Sequence, residues 1–329
     1  MKRFLTALLS SAMIVVLGAE APAASNAAQV QPGSFLRPAD FRVANVAYRL
    51  AVAGRQHCQT LLPLTGISLH YLPEYDVANR SEAARLYGVD RGPGVLSVIG
   101  GSPAQRAGLL AGDVLLAING LPLPSGGEMA GAADAKIWRR AVEQVETHLE
   151  TQLQAGPARL RVLRKGIEFD LPLDRVMGCP IRSRLARSSQ ANAFANGRTV
   201  IMTTRLLDFV RNDDELAVVI AHEAAHNILG HPARLEAEKV PKGILANFGK
   251  NATRVRRTEE EADRLGLKLL WSAGYDPSAV LPFWRRLYQA FDPVPTPKLF
   301  NRHPSLAARE RIVAETLAEL SRSGVPSRP

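Results

Sequence analysis

The chain has 329 residues, of which 46% are hydrophobic and 22% charged, a composition typical of a globular protein long enough for two domains. Its formal net charge is +10, but the arginines are scattered and no aromatic platforms accompany them, which argues against a nucleic-acid-binding protein. A solvated basic surface is the simpler explanation, and it would allow a peripheral association with anionic lipid.

The N-terminus has the pattern of a secretory signal peptide. Two basic residues precede an apolar run over residues 4–18, and an A-x-A sequence at residues 21–23 fits a cleavage signal. We therefore predict a signal peptide over residues 1–24. An uncleaved membrane anchor is the alternative, although the apolar run is short for a membrane span. Because no other long apolar run follows, we expect a soluble protein exported to the periplasm or cell envelope.

The sequence contains only two cysteines, Cys58 and Cys179. Apolar residues at helical spacing predict a helix over residues 40–58, which ends at the first of them. An even number of cysteines in an exported protein suggests a disulfide bond between them, and two buried free thiols are the alternative.

Short strands characterise the chain between residues 80 and 174, with turns predicted at Asn119-Gly120 and at Lys165-Gly166. The run GVLSVIGGSPAQRAGLLAGDVLLAING resembles the G-S-P-A-x-x-A-G-L-x-x-G-D pattern of PDZ domains in bacterial envelope proteases. The resemblance implies a groove between a strand at Val95–Ile99 and a helix near Ile137–Leu153, where a peptide terminus would bind as an added strand. A small β-rich packing module without a ligand is the alternative.

The stretch AHEAAHNILGHP, residues 221–232, holds three of the seven histidines of the chain. A helix that begins near residue 212, with acids in its first turn, would place His222 and His226 on one face. H-E-x-x-H on a helix is the pattern of zinc hydrolases, in which two imidazoles bind zinc and the glutamate, here Glu223, is the general base. A helix with surface histidines is the alternative, but the apolar flanks predict burial, and buried imidazoles need partners.

A catalytic zinc ion needs a third protein ligand and one open position. The third-histidine spacing of metzincins is absent, because leucine and proline occupy the required glycine and histidine positions. A second helix offers Glu259 and Asp263, four residues apart on one face, as a ligand and as an acceptor that orients a ligand imidazole. Glu261 is a less favoured candidate for the third ligand. The alternative explanation of these carboxylates is that they are the acidic residues common at the start of a helix.

Further segments accompany these motifs in order between residues 188 and 312, among them NAFANGRTVIMTTRLLDFVRNDDEL, EEEADRLG, AGYDP and RHPSLAARERI. With them the chain resembles the HtpX-like and CAAX-prenyl-protease family of zinc metallopeptidases, in particular its soluble, exported, BepA-like members. The resemblance implies a gluzincin of the α+β class, a mostly helical domain with a small edge sheet, into which the PDZ-like domain is inserted. It also implies one Zn2+ per chain, bound by His222, His226 and Glu259.

The same resemblance implies roles for other residues. Asn192, Ala193 and Phe194 would lie near an edge strand that aligns the substrate. His303, in an H-P motif, would lie near the metal, either as a fourth, inhibitory ligand or as a donor that stabilises the oxyanion. Arg309 occupies the position of a structural or site-facing arginine.

The predicted order is a signal peptide at 1–24, an N-terminal part of the peptidase domain at 35–79, a PDZ-like domain at 80–174 and a zinc metallopeptidase domain at 175–325. The predicted function is a zinc metalloendopeptidase of the cell envelope that hydrolyses misfolded or unassembled proteins. A zinc-containing, peptide-binding adaptor or chaperone with little proteolytic activity is the alternative. Glu223 speaks against it, because a binding protein does not need that base.

Overall fold

The computed structural model describes residues 38–130, 135–241, 249–291 and 306–322. Within these ranges the chain forms the helices α1 (Pro38–Ala53), α2 (Arg80–Tyr87), α3 (Pro103–Arg106), α4 (Gly126–Ala130), α5 (Ala135–Ala155), α6 (Thr204–Phe209), α7 (Asp213–Ile228), α8 (His231–Ala237), α9 (Gly249–Ser272), α10 (Val280–Phe291) and α11 (Leu306–Arg322). It also forms the strands β1 (Leu62–Leu64), β2 (Ile67–His70), β3 (Gly94–Val98), β4 (Val114–Ile118), β5 (Leu121–Pro122), β6 (Ala158–Arg164), β7 (Ile167–Leu173), β8 (Val176–Gly178), β9 (Arg182–Ala186), β10 (Ala193–Ala195) and β11 (Thr199–Thr203).

A six-stranded antiparallel sheet has the order β2-β3-β4-β6-β7, with β5 paired to β4. Its hairpin turns are at Asn119 and Gly120, between β4 and β5, and at Lys165 and Gly166, between β6 and β7. All four residues have positive φ, which explains the glycine in each turn, because glycine adopts this conformation without steric cost. Both turns agree with the sequence pattern.

The position of β2 corrects two expectations. Ile67–His70 pairs with β3, so the sheet begins well before the predicted domain boundary at residue 80. The strand predicted at Val95–Ile99 corresponds to β3, which pairs with β2 on one side and β4 on the other. An added strand therefore cannot bind to β3, and the strand at this end of the sheet is β2.

One face of α5 covers the six-stranded sheet. Val142, Val145, Leu149 and Leu153, at helical spacing, belong to one buried cluster with strand residues that include Leu69, Val95, Leu115, Ile118, Leu160 and Val162. Every buried member of this cluster lies between Leu69 and Leu173. The sheet and α5 therefore share a hydrophobic core of their own.

A second core is formed mainly by helices. α7 packs against α1 and α9, and α11 packs against α9. A three-stranded sheet of order β10-β11-β9 completes this part, with β9 against α1 and with β10 and β11 against α7. β11 pairs with β9 in parallel and with β10 antiparallel, so β10 lies at one end of the sheet.

The chain enters and leaves the six-stranded sheet side by side. β1, which precedes β2, pairs antiparallel with β8, which follows β7. A disulfide bond joins Cys58 to Cys179 at this point, and the N–H of Cys179 donates to the carbonyl of Ala51 at 2.9 Å. Both α1 and the residues from Cys179 onward contribute to the helical core, so the sheet lies, in sequence, between two parts of that core.

Two predictions fall on other segments. The predicted signal peptide, residues 1–24, lies outside the described residues, and so does residue 303 in the segment 292–305. Among the helices that the structure does describe, none is long and apolar enough to cross a bilayer.

Candidate metal centre

α7 carries the H-E-x-x-H pattern, and local signals set its ends. Asn212 is its N-cap, where Oδ1 accepts a hydrogen bond from the N–H of Glu215 at 3.0 Å, and acidic residues fill the first turn. Just beyond its C-terminus Gly230 has a φ of 65°. Because the helix is regular between these ends, His222 and His226 lie on the same face.

α9 passes α7 at close range where Gly266 meets the α7 backbone. A Cβ built on Gly266 would lie 3.1 Å from the backbone nitrogen of His222, so glycine permits an approach that other residues would obstruct. Since α9 begins at Gly249, Glu259 lies well inside the helix, and the alternative of an acidic helix start is wrong. Gly266 was not among the predicted site residues; its signal is a glycine inside a long helical pattern.

His222, His226 and Glu259 come together between the two helices. Nε2 of His222 lies 3.4 Å from Oε2 of Glu259, Nε2 of His226 lies 3.5 Å from Oε1, and the two Nε2 atoms are 3.3 Å apart. Donor atoms bound to one tetrahedral zinc ion at about 2.0–2.2 Å are themselves about 3.3–3.6 Å apart. The two imidazoles and the carboxylate therefore fit a zinc ion in both chemistry and spacing.

The electrostatics of the cluster favour a cation. Burial lowers the pKa of the His222 imidazole, but its hydrogen bonds and charge interactions with Asp263 and Glu259 outweigh burial and raise the pKa to about 10. Two buried carboxylates at such short range need positive charge beside them. A proton on His222 or a metal ion can supply it, and metal binding requires the neutral imidazole.

Each candidate ligand histidine is held through its second ring nitrogen. Nδ1 of His222 lies 2.9 Å from Oδ1 of Asp263, and Nδ1 of His226 lies 2.8 Å from Nδ1 of His231. Nε2 of His231 lies 3.1 Å from Oε2 of Glu261. Glu261 is therefore placed behind His231, and Glu259 takes the position between the two histidines.

Arg309 is buried beside the cluster, with only 1% of its surface exposed. Its Nη1 lies 3.1 Å from Oδ1 of Asp263, and its guanidinium carbon lies 3.7 Å from the centre of the Trp284 ring. The Trp284 ring lies 5.4 Å from the ring of His222. Arg309 thus faces the site through Asp263. Trp284 was not predicted, because an aromatic residue on a helix carries no motif that would mark it.

Glu223 follows His222 on α7 and is 8% exposed. Its neighbours in sequence are almost all buried, so the carboxylate lies in a largely desolvated part of the helix. The predicted oxyanion donor or fourth ligand, His303, is not among the residues that the structure describes.

The predicted substrate edge lies on β10. Ala193 and Phe194 belong to this strand, and Phe194 is 43% exposed. Asn192 precedes it and is tied to Thr203, with Asn192 N donating to Thr203 Oγ1 and Thr203 N donating to Asn192 O, both at 2.9 Å. In the part of the chain that is described, β10 pairs with β11 alone.

Comparison with known families agrees with this geometry. The sequence model of peptidase family M48 matches residues 175–250 and 246–316, a region that includes both α7 and α9. The sequence model of the PDZ domain matches residues 94–135. The family resemblance predicted from the motifs is therefore confirmed.

Curated relatives share part of the chain. The mitochondrial metalloendopeptidase OMA1 of Schizosaccharomyces pombe is 31% identical over 153 residues, which are 40% of this chain and 45% of that protein. The beta-barrel assembly-enhancing protease of Escherichia coli K12 is 30% identical over 155 residues, which are 38% of this chain and 32% of that protein. Metalloprotease LoiP of Escherichia coli K12 is 24% identical over 246 residues, which are 64% of this chain and 93% of that protein. The chain spans less than half the length of the first two relatives.

Proposed function

The chain carries a peptidase domain of family M48 together with a PDZ domain, and on this premise we propose that it is a zinc-dependent endopeptidase. The observation that carries the proposal is the buried cluster of His222, His226 and Glu259, whose donor atoms have the spacing that a tetrahedral zinc ion requires. Three protein ligands leave a fourth position for water or substrate, which is typical of hydrolytic zinc sites and not of structural ones.

A zinc ion held by these side chains would polarise the scissile carbonyl and make a water molecule more acidic. Glu223, next to His222 on α7, is the proposed base. Its carboxylate accepts a proton from the attacking water and passes it to the leaving amide nitrogen. The position of Glu223 next to the candidate ligand His222 and its low exposure, 8%, support this role.

Hydrogen bonds at Nδ1 of His222 and His226 favour the tautomer in which Nε2 of each ring is unprotonated and can bind a metal ion. Nδ1–H of His222 donates to Asp263, which leaves the Nε2 lone pair directed at the cluster. Burial and the charge of Arg234 lower the pKa of His231, so that ring is neutral. Its Nε2–H donates to a carboxylate and its Nδ1 accepts from His226, so Nε2 of His226 carries the lone pair that a ligand bond requires.

We propose β10 as the strand that aligns the substrate. An extended peptide can add to the end strand of a sheet through main-chain hydrogen bonds, and β10 lies at an end of its sheet and packs against α7. The exposed ring of Phe194 would contact substrate side chains. His303 remains the proposed group that either stabilises the oxyanion or caps the metal.

The proposed setting is the cell envelope, and the proposed substrates are misfolded or unassembled proteins. The signal-peptide pattern at residues 1–24 and the disulfide bond support an oxidising, exported location. The PDZ domain supports recognition of extended protein segments or termini.

Zinc content and casein cleavage, measured side by side, test the proposal. The wild type is expected to hold about one zinc ion per chain and to cleave casein. Glu223→Gln should keep the zinc and lose at least about 100-fold in rate, because only the base is removed. Glu260→Gln, beside the ligand Glu259 on α9, is the matched control and should cleave like the wild type.

His303→Ala adds a second comparison. If only this variant cleaves casein, the protein is a peptidase that His303 inhibits in the wild type. If zinc is bound and neither the wild type nor His303→Ala cleaves, the peptidase proposal is contradicted and a peptide-binding adaptor is favoured.

A further inference from the structure

A cluster of ion pairs joins the PDZ domain to the sheet beside the candidate active site. Arg182 and Arg184 lie on β9, and Arg198 lies in the turn between β10 and β11. Glu146 and Glu150, one turn apart on α5, bind them: Arg182 pairs with Glu150, Arg184 pairs with Glu146 at 2.6 Å, and Arg198 lies 4.0 and 3.6 Å from the two glutamates. These five residues form what we call the arginine clamp.

Arg184 spans the space between β2 and α5. Its Nη1 donates to the carbonyl of Leu69 on β2 at 3.2 Å, while its Nη2 donates to Glu146 on α5 at 2.6 Å. Nη1 also lies 3.1 Å from Glu74, and the guanidinium lies 5.6 Å from the centre of the Tyr71 ring. A peptide that adds to β2 would use its own N–H groups to bond the outward carbonyls of that strand. Arg184 therefore occupies a hydrogen-bonding position that an incoming peptide needs.

The same arginine is in register with the proposed substrate strand. Arg184 pairs with Ile201 of β11, and Ile201 pairs with Phe194 of β10. With strands about 4.8 Å apart, the backbones at Arg184 and Phe194 are about 10 Å from each other across the sheet. Arg198 also ties the β10–β11 turn to the glutamates of α5. The clamp thus restrains both β9 and the hairpin that carries β10.

We propose that Arg184 closes the peptide groove of the PDZ domain in the resting chain, and that an extended polypeptide which adds to β2 displaces Arg184, opens the clamp and frees β10 to align a substrate. This inference rests on the proposed peptidase function and assigns its regulation. The partner is defined by its backbone: an unfolded segment whose N–H replaces the guanidinium at the carbonyl of Leu69. Unfolded protein is then both the activator and the substrate.

The energetics permit such a displacement. The side chains of Arg184, Glu146 and Glu74 are 33%, 20% and 16% exposed, so solvent partly screens these ion pairs. Burial lowers the pKa of Arg184, but the carboxylates of Glu74 and Glu146 outweigh burial and raise it, so Arg184 is charged at any physiological pH. An added strand forms several main-chain hydrogen bonds, which offset the one hydrogen bond from Arg184 to Leu69 and the partly screened ion pairs of Arg184 with Glu146 and Glu74.

Two variants break the clamp from its two sides. Arg184→Met keeps the aliphatic stem and removes the charge, and Glu146→Gln removes the partner on α5. Arg161→Met is the matched control, because it removes an arginine–carboxylate pair, with Asp170, from the exposed face of the same domain. If one clamp variant fails to fold, the other still tests the proposal.

Hydrogen exchange, measured in a Glu223→Gln background that does not cleave substrate, shows whether the clamp restrains β10 and β11. We expect the amides of residues 193–195 and 199–203 to exchange about fivefold faster in both clamp variants than in the Arg161→Met control, a difference of about 1 kcal/mol. The double variant should add little to either single variant, because both remove the same interaction. Unchanged exchange in both clamp variants overturns the proposal.

Reduced, carboxymethylated casein is the peptide probe in the same background. Casein should protect residues 67–70 from exchange, with a midpoint about fivefold lower in the clamp variants than in the control. In the active protein, kcat/KM for casein should rise by a similar factor. Saturating casein that leaves residues 67–70 unprotected contradicts the proposal. If neither the wild type nor His303→Ala cleaves casein, the peptidase function fails, while exchange and protection still decide whether the clamp controls the groove.

Discussion

At the scale of single residues, the candidate metal site depends on the groups behind the ligands. Oδ1 of Asp263 lies within reach of both Nδ1 of His222 and Nη1 of Arg309. The buried guanidinium compensates the charge of Asp263, which a buried carboxylate otherwise cannot keep without cost. Asp263 therefore contacts both groups, and its contact with Nδ1 holds the His222 ring in one orientation.

Asp263→Asn should weaken zinc binding by about 10–100-fold, because the neutral amide orients His222 less firmly and leaves Arg309 without its carboxylate partner. Competition with a chromogenic chelator measures the zinc affinity directly. Glu260→Gln, on the same helix, should keep the wild-type affinity. An Asp263→Asn protein that binds zinc as tightly as this control would show that Asp263 does not position the ligand.

At the scale of elements, the site depends on how closely α7 and α9 approach. Both helices supply candidate ligands, and Gly266 lies against the backbone of His222 itself. Any change in the distance between the helices therefore moves Glu259 relative to the histidines.

Gly266→Ala sets two effects against each other. Alanine favours the helix by about 1 kcal/mol over glycine, but its Cβ would lie 3.1 Å from His222 N, and the separation of packed helices costs about 1–3 kcal/mol. Because the neighbour is backbone and cannot rotate away, we expect a lower Tm and weaker zinc binding.

Thermal unfolding and chelator competition test this expectation. Gly127→Ala is the matched control, since a Cβ there meets only the Ser125 hydroxyl at 3.9 Å. A Gly266→Ala protein that is more stable than the wild type, with unchanged zinc affinity, would show that α7 and α9 accommodate a Cβ at residue 266 without moving apart.

At the scale of the whole molecule, two hydrophobic cores meet where the chain crosses between them. The β1–β8 pair and the disulfide bond lie at this junction, and the arginine clamp forms a second connection on the side of α5. The junction keeps the ends of the six-stranded sheet together, while the clamp links α5 to β9 and to the β10–β11 turn through ion pairs.

Replacement of both cysteines, Cys58→Ser with Cys179→Ser, should lower the free energy of unfolding by about 3–5 kcal/mol, because the bond closes a long loop of the unfolded chain. The sequence separation is 121 residues. Zinc content should not change, since the cluster uses imidazole and carboxylate donors. Calorimetry and metal analysis measure both quantities, and non-reducing peptide mapping that finds two free thiols in the wild type would remove the basis of the prediction.

Much of the candidate site could be predicted because its signals are local. The spacing of His222 and His226 fixes their common face once the Asn212 cap and the acids of the first turn set the helix. Glu259 could be preferred to Glu261 as the third ligand from their different phases on one helix. The hairpin at Lys165 and Gly166 could also be predicted, because its two turn residues are adjacent in sequence.

The sequence by itself determined the helix that carries H-E-x-x-H, the motifs of the family resemblance and the turns, since each is a pattern of residues a few positions apart. Only the tertiary structure decided that β2 and not β3 ends the six-stranded sheet, that Gly266 sets the distance between α7 and α9, and that Arg184 lies across the groove between β2 and α5. Helices and tight turns can be predicted from the sequence because they depend on the pattern of residues a few positions apart. Which strand lies at an edge, and which arginine reaches it, depends on pairing between segments far apart in the chain, and no local pattern encodes that choice.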